Sequence, residues 1–192
     1  VFERDFPTKT GKRSVLATFI PELEGDRIEG FYSLVADITP VKVAQQAQLD
    51  SLARLGGIID GASEFSIIAT TPDGTIQLFS KGAERMLGWN AEEMVGIRPL
   101  TDIHLPEEIA RASERILEES GKRLEGFDVF AEAARQGRAE SREWTYLRKD
   151  GTTVPVQLVV TALHNHLGAI DGFLGVARDT SKELEAIRAI EE

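Results

Sequence analysis

Apolar and polar positions alternate most cleanly between residues 141 and 178. Trp144, Tyr146 and Arg148 fall on one side of a strand from Ser141 to Asp150. Val154, Val156, Leu158 and Val160 recur at period two from Thr153 to Leu163, which reads as its partner strand. Asp150-Gly151 predicts a tight hairpin turn between them, with both central residues at positive φ. After the loop His164 to Gly168, a third strand runs from Ile170 to Arg178 and stops at Asp179-Thr180-Ser181. Three antiparallel strands of this kind need cover on at least one face.

The stretch before them supplies it. Ile58 to Ser63 reads as one short helical turn, followed by a strand from Phe65 to Thr70. Pro72-Asp73-Gly74 turns the chain, and Thr75 to Phe79 returns as the partner strand. The period then lengthens. Ser80 caps a short helix carrying Ala83, Met86 and Leu87 that ends at Gly88, and Asn90 to Glu93 has capping-box spacing before Gly96. Pro106-Glu107-Glu108 opens a longer helix with the stripe Ile109, Ala112, Ile116 and a stop at Gly121. The last helix, Phe127 to Gln136, puts Phe127, Phe130, Ala131 and Ala134 on one side and stops at Gly137. Two strands, four short helices and three strands make an α+β fold: a five-stranded antiparallel sheet with the helices packed across one face.

Part of this pattern occurs twice. Gly30-Phe31 through Asp37-Ile38-Thr39 aligns with Gly172-Phe173 through Asp179-Thr180-Ser181 at one constant spacing. Glu3 and Lys9-Thr10-Gly11 align with Glu143 and Lys149-Asp150-Gly151 at a spacing two residues shorter, a difference assigned to the second hairpin loop. Residues 1–39 therefore read as the last three strands of a domain whose first half lies upstream, with an apolar face that includes Val15, Leu34 and Val35 and needs cover. Between the copies, Thr39-Pro40 reads as an N-cap followed by proline at the first helical position, and Gly56-Gly57 as the stop. The stripe Val41, Ala44, Leu49, Leu52, Leu55 suits a connector or a parallel helix pair. The expected divisions are 1–39, a linker helix at 40–57, a complete domain at 58–181 and the start of an outgoing helix at 182–192.

Composition narrows the function. Lys and Arg number 22 against 32 Asp and Glu, a net charge of −10, which argues against nucleic-acid and anionic-membrane binding. No apolar run is long enough to span a membrane, and a cytoplasmic module is expected. The absence of cysteine excludes disulfides, thiolate metal sites, a thiol nucleophile and a cysteinyl–flavin adduct. No nucleophile elbow, phosphate loop or dinucleotide glycine pattern is present, so no catalytic residue is assigned.

The element order, with Phe65 to Gly74, Gly82 to Trp89, Glu92 to Gly96, Arg148 to Gly151 and Gly172 to Ala177, resembles the PAS sensor family, and residues 1–39 resemble the tail of a preceding PAS domain. The family's Asp-Ile-Thr junction between sheet and signalling helix stands intact as Asp37-Ile38-Thr39 and departs to Asp179-Thr180-Ser181 in the second copy. An acidic residue and a hydroxyl there satisfy free N–H groups of the outgoing helix and fix its exit; Thr180 or Ser181 could serve as the cap, with Glu183 completing a box.

The resemblance implies a pocket between sheet and helices for a small-molecule ligand, with Met86, Trp89, Phe127, Phe130, Trp144, Tyr146, Leu158 and Val176 as candidate lining. It also implies a sensory and dimerisation role, with a histidine kinase or diguanylate cyclase as effector in the same chain and a homodimer through helices 40–55 and the outer sheet face. Haem is disfavoured because residues 122–137 hold no histidine. His104 reads as a surface or capping residue, and His164-Asn165-His166 as a solvated loop rather than a metal site. Trp89, Trp144 and Tyr146 could neighbour a non-covalent flavin, although aromatic residues in such places read first as core. An empty pocket, or a ligand-free interaction module, is the remaining alternative.

Overall fold

The computed structural model describes residues 1–8 and 11–191. The chain divides into two compact units, Val1–Gly57 and Ile58–Glu192.

In the second unit, β4 (Phe65–Thr70) and β5 (Ile76–Phe79) precede four helices: α2 (Lys81–Leu87), α3 (Ala91–Met94), α4 (Pro106–Ser120) and α5 (Asp128–Arg135). Then come β6 (Glu140–Leu147), β7 (Thr153–His164) and β8 (Ile170–Asp179), followed by α6 (Ser181–Glu191). The strands form one antiparallel sheet in the order β5-β4-β8-β7-β6. The helical segment thus carries the chain from one sheet edge to the other and covers one face as it crosses. A 3-10 turn at Leu100–Ile103, not foreseen in the sequence, buries Leu100 and Ile103 under that cover.

Three turns share one design. Gly74, Gly151 and Gly168 each donate an N–H to the carbonyl three residues back (Thr71, Arg148 and Asn165), at 3.0, 3.0 and 2.9 Å. Their φ angles are 92°, 82° and 78°, and among the described residues no non-glycine has positive φ. The Asp150-Gly151 turn therefore departs from expectation: only Gly151 is left-handed, as in a type I turn closed by a glycine bulge. The cap signals at Ser80, Gly88, the Asn90–Glu93 box and Gly121 are all realised.

The first unit holds β1 (Phe2–Thr8), β2 (Gly11–Glu24) and β3 (Arg27–Asp37) as an antiparallel meander, leading into α1 (Thr39–Gly61). The Lys9-Thr10 part of the expected turn lies outside the described residues. Val15 pairs with Asp37 as Val156 pairs with Asp179, and Phe2 pairs with Ala17 as Arg142 pairs with Leu158. That register divides the length difference between the two hairpins instead of confining it to the second. Strand parity also separates residues that the sequence grouped: Val15, Ala17 and Val35 share one face, whereas Leu34 lies on the other with Thr18.

α1 departs from expectation at both ends. Lys42 N–H bonds to the Ile38 carbonyl at 3.0 Å, so the helix starts at Thr39, one residue early, and Pro40 sits at its second position, where a missing N–H is still harmless. Its far end continues through Gly56-Gly57 and absorbs the separate turn expected at Ile58. Neither glycine takes positive φ, and glycine inside a helix costs only about 1 kcal/mol relative to alanine, too little to force a stop.

Candidate functional site

The covered face of the second unit's sheet is set by parity. Ser66, Ile68 and Thr70 of β4 share it with Phe173, Gly175 and Ala177 of β8, Val154 to Val160 at alternate positions of β7, and Trp144 and Tyr146 of β6. α5 lies over the middle of this face. Val129, Phe130, Ala131 and Ala134 are buried, and the two alanines allow close approach to Phe173.

The interior is nearly full. One void of about 10 Å³ lies among Thr70, Leu100, Phe127, Tyr146, Leu158 and Phe173. Another of about 20 Å³ lies among Val129, Phe130, Arg142, Trp144 and Leu158. The structure thus gathers Phe127, Phe130, Trp144, Tyr146 and Leu158 around one interior.

Of the other three candidates, Met86 and Trp89 pack partly buried against the rim of the same core, and Val176 lies off it. Val176 pairs with Ile67 and Val159 on the outer face, one residue out of phase with Gly175 and Ala177. Trp89 follows left-handed Gly88 out of α2 and stands beside an open groove, with the Arg98 guanidinium 4.6 Å and the Lys149 ammonium 5.1 Å from its ring centroid. Met86 is half-buried, and its carbonyl accepts from Arg148 Nε at 2.8 Å.

His104 overturns its expectation most clearly. It is not a surface or capping residue: it is 1% exposed, with ring centroids of Phe130, Tyr146 and Trp144 at 4.3, 4.9 and 5.6 Å. Its Nδ1 lies 3.0 Å from the Leu100 carbonyl, which can only accept, so Nδ1 carries the proton and Nε2 presents a lone pair. That Nε2 has no hydrogen-bond partner among the described residues, nor do Ser66 Oγ and Thr70 Oγ1. Burial pushes the His104 pKa down to about 4, against the smaller opposing effect of the Leu100 bond. Burial likewise raises the Tyr146 pKa; Ser66 Oγ moderates that shift without the geometry of a full hydrogen bond. The residue was missed because the 3-10 turn that buries it has no periodic signature; its flanks, Ile103 and Leu105, were the available hint.

At the sheet-to-helix junction, Asp179 Oδ1 accepts the Ser181 N–H at 2.8 Å. The Thr180 N–H and hydroxyl both donate to the Pro155 carbonyl, at 3.0 and 3.2 Å. Leu184 N–H reaches the Thr180 carbonyl at 3.1 Å, so Thr180 occupies the cap position with its side chain turned to β7. Glu183 pairs with Arg178 instead of closing a box. The first unit repeats the arrangement: Asp37 Oδ1 accepts the Thr39 N–H at 2.9 Å, and Ile38 N–H donates to the Ser14 carbonyl at 2.9 Å. Thr39 Oγ1 also accepts the Ser14 N–H at 2.9 Å.

Residues 63–182 match the PAS domain family. This chain belongs to that family. The solved PAS domain of an HTR-like protein from Haloarcula marismortui has the same fold, with a TM-score of 0.52 and 22% identity over 72% of this chain and 98% of that one. A LOV protein from Rhodobacter sphaeroides gives a TM-score of 0.51 and 16% identity, over 69% of this chain and 68% of its own. Two-component system protein A of Emericella nidulans is 28% identical over 139 residues, covering 70% of this chain; the chain spans only 18% of that relative's length.

PAS domains are sensory, and the fit of the expected cofactors can be tested on the packing. Small-molecule pockets occupy about 300–1,000 Å³, far above the two voids here. The interior as packed therefore has no room for a tricyclic flavin or a haem. Among the described residues, no helix is long and apolar enough to cross a membrane.

Proposed function

We propose that the chain is the sensory and dimerisation segment of a larger signalling protein, in which a change inside the PAS interior passes through β8 into α6 and onward to an effector in the same chain. The observation that carries this reading is the fastening of α6. Asp179 and Thr180 tie its first turn to β7 and β8, whose inner residues Leu158, Phe173 and Gly175 border the interior void. A displacement of those strands is therefore delivered at the helix origin instead of being lost in a loop.

The input is a small-molecule ligand that enters as the aromatic packing opens, since the voids of about 10 and 20 Å³ hold none as they stand. Three buried polar atoms, His104 Nε2, Ser66 Oγ and Thr70 Oγ1, lack partners and favour one that brings hydrogen bonds. Phe127, Phe130, Trp144, Tyr146 and Leu158 form its apolar surroundings. The name of the Emericella relative favours a histidine kinase output over a diguanylate cyclase. Residues 1–39 are the strand end of a second PAS core, a reading supported by the repeated junction and register. Dimerisation through α1 and the outer sheet face is supported by unburied Leu49, Leu52 and Leu55 on α1 and by half-exposed Ile67, Leu174 and Val176 on the sheet. The cysteine-free, acidic composition supports a cytoplasmic setting.

The test is the double substitution Asp179→Ala with Thr180→Val in the full-length protein. It should leave the PAS domain folded, as judged by circular dichroism, and uncouple output from stimulus. Output that still follows the stimulus would end the relay reading. A visible absorption band of flavin type in the purified protein would replace ligand sensing by redox sensing.

A further inference from the structure

The two edges of the second unit's sheet are finished differently. At β5 the edge is closed by the following loop: Ile76 N–H donates to the Arg98 carbonyl at 3.2 Å, and the Ile76 carbonyl accepts from Gly96 at 2.7 Å. At β6 only the upper half is closed. Thr145 N–H and its hydroxyl both donate to the Glu108 carboxylate at 2.7 Å, and His104 bridges to Tyr146. Because Thr145 points its N–H away from β7, alternation along the strand points the backbone groups of Glu143 and Ser141 the same way. No described group meets them.

Beside that open half runs a groove of about 680 Å³ between β6 and α4. Ser141, Glu143 and Trp144 form one wall, and Arg111, Ala112, Arg115 and Ile116 the other. Neither arginine makes an ion pair or hydrogen bond with any described residue. Elsewhere in the unit Arg98, Arg123, Arg135, Arg138, Arg142 and Arg178 are ion-paired and Arg148 is hydrogen-bonded, while Arg85 and Arg188 likewise have no described partner. Two free guanidinium groups standing over an unpaired strand edge describe a site for an extended backbone with negative side chains.

The spacings agree. Residues four apart on a helix stand about 6 Å apart, and alternate residues of a strand repeat at about 6.8 Å. An added strand with carboxylates at alternate positions therefore presents them to Arg111 and Arg115 in turn. Those carboxylates project over the face that Trp144, Ala112 and Ile116 share, and the alternate side chains point away from α4. Glu119 and Glu143 also line the groove, as does Glu108, whose carboxylate is taken up by Thr145, and they disfavour further acid beyond that pair.

We propose that β6 and α4 form a docking groove for an extended, acidic segment of a partner protein, which adds as a sixth strand and sets a Glu-x-Glu pair against Arg111 and Arg115. Main-chain bonds to Ser141 and Glu143 supply affinity and the arginines supply register and sequence preference, as in other strand-addition sites.

The probe is a fluorescein-labelled Val-Glu-Val-Glu-Val-Thr peptide titrated into the full chain, read by anisotropy and by amide shifts. Saturable binding with the Ser141 and Glu143 amides shifted and protected from exchange is the expected result. The exposed double substitution Arg111→Glu with Arg115→Glu should weaken it by about tenfold or more, and lysine in place of the peptide's glutamates should abolish it. Methylating the peptide nitrogens that face β6 should also abolish it, which separates strand pairing from simple charge attraction. Absence of saturable binding, survival of binding after methylation, or shifts confined to other surfaces would overturn the proposal. So would concentration-dependent protection of Ser141 and Glu143 without peptide, since a second copy of the chain would then own the edge.

Discussion

The meanders β1–β3 and β6–β8 invite direct comparison. Both are three antiparallel strands that end in an acidic residue capping the outgoing helix, with the same pairing register up to the junction. Yet Phe31 is 64% exposed where its counterpart Phe173 is 2% exposed, and Val35 is 58% exposed where Ala177 is fully buried. The difference does not reside in the strands. It comes from α5 and β4, which cover and extend the second meander and have no equivalent on the first among the described residues. Strand sequence sets a face; the elements laid against that face make it a core.

Substitutions at matched positions should therefore have unmatched costs, measurable by denaturation combined with residue-resolved hydrogen exchange in each sheet. The largest contrast is expected at the phenylalanines. Phe173→Ala should cost the second unit about 3–5 kcal/mol through lost burial and a cavity, whereas Phe31→Ala should stay within about 0.5 kcal/mol. Equal costs would show that the first sheet is covered in solution.

Acidification should separate the units next. His104 has a folded-state pKa of about 4, below its ordinary 6.5, so the unfolded chain takes up the proton first. Stability of the second unit should fall as pH drops from about 6.5 through 4, by about 3 kcal/mol in all, and level off below. His104→Leu should remove that slope. In the first unit Asp5, held at about 2 chiefly by its hydrogen bonds from Lys12 and Ser14, is depressed from 3.8. Its contribution is fully present above about pH 4 and is lost as pH falls through 2. Exchange in β1–β3 should thus show no His104-like slope between pH 6.5 and 4.

A smaller contrast lies at the aligned glycines. A Cβ on Gly172 would stand 2.2 Å from the Thr70 carbonyl oxygen on neighbouring β4, whereas one on Gly30 meets only the end of the Glu22 side chain at 3.3 Å. Gly172→Ala should cost about 1–3 kcal/mol, and Gly30→Ala close to nothing. The smallest effect, with the opposite sign, is expected at Gly57, where an added Cβ meets nothing within 4 Å. Gly57→Ala should strengthen α1 by up to about 1 kcal/mol, seen as slower exchange across residues 53–60.

How far the sequence could be read depended on the range of the signal. Strand alternation, the caps at Ser80 and Asn90, and the glycine stops at Gly88 and Gly121 act within a few residues, and they placed most elements of the second unit to within a residue or two. The exceptions are β6, which ends at Leu147, three residues before the expected Asp150, and the turn expected at Ile58, which is part of α1. The five-stranded sheet with helices on one face followed from their order. Gly56-Gly57 failed as a stop because helix continuation depends on φ, and a glycine leaves both choices open. Parity put Trp144, Tyr146 and Leu158 on the covered face, where the structure has them, and was not applied to Val176, which lies on the other face.

The chain's own residues thus determined which segments are strands and helices, which strand positions share a face, and that the helix after each meander starts at a capped acidic junction. Tertiary structure alone decided which meander becomes a core, that His104 lies among three aromatic rings with a free lone pair, and that the β6 edge stays open beside two unpaired arginines. Each of these depends on residues far apart in the chain meeting in space. Burial, an orphaned nitrogen and an unpaired edge are properties of what lies opposite, and no local pattern of apolar and polar positions records that.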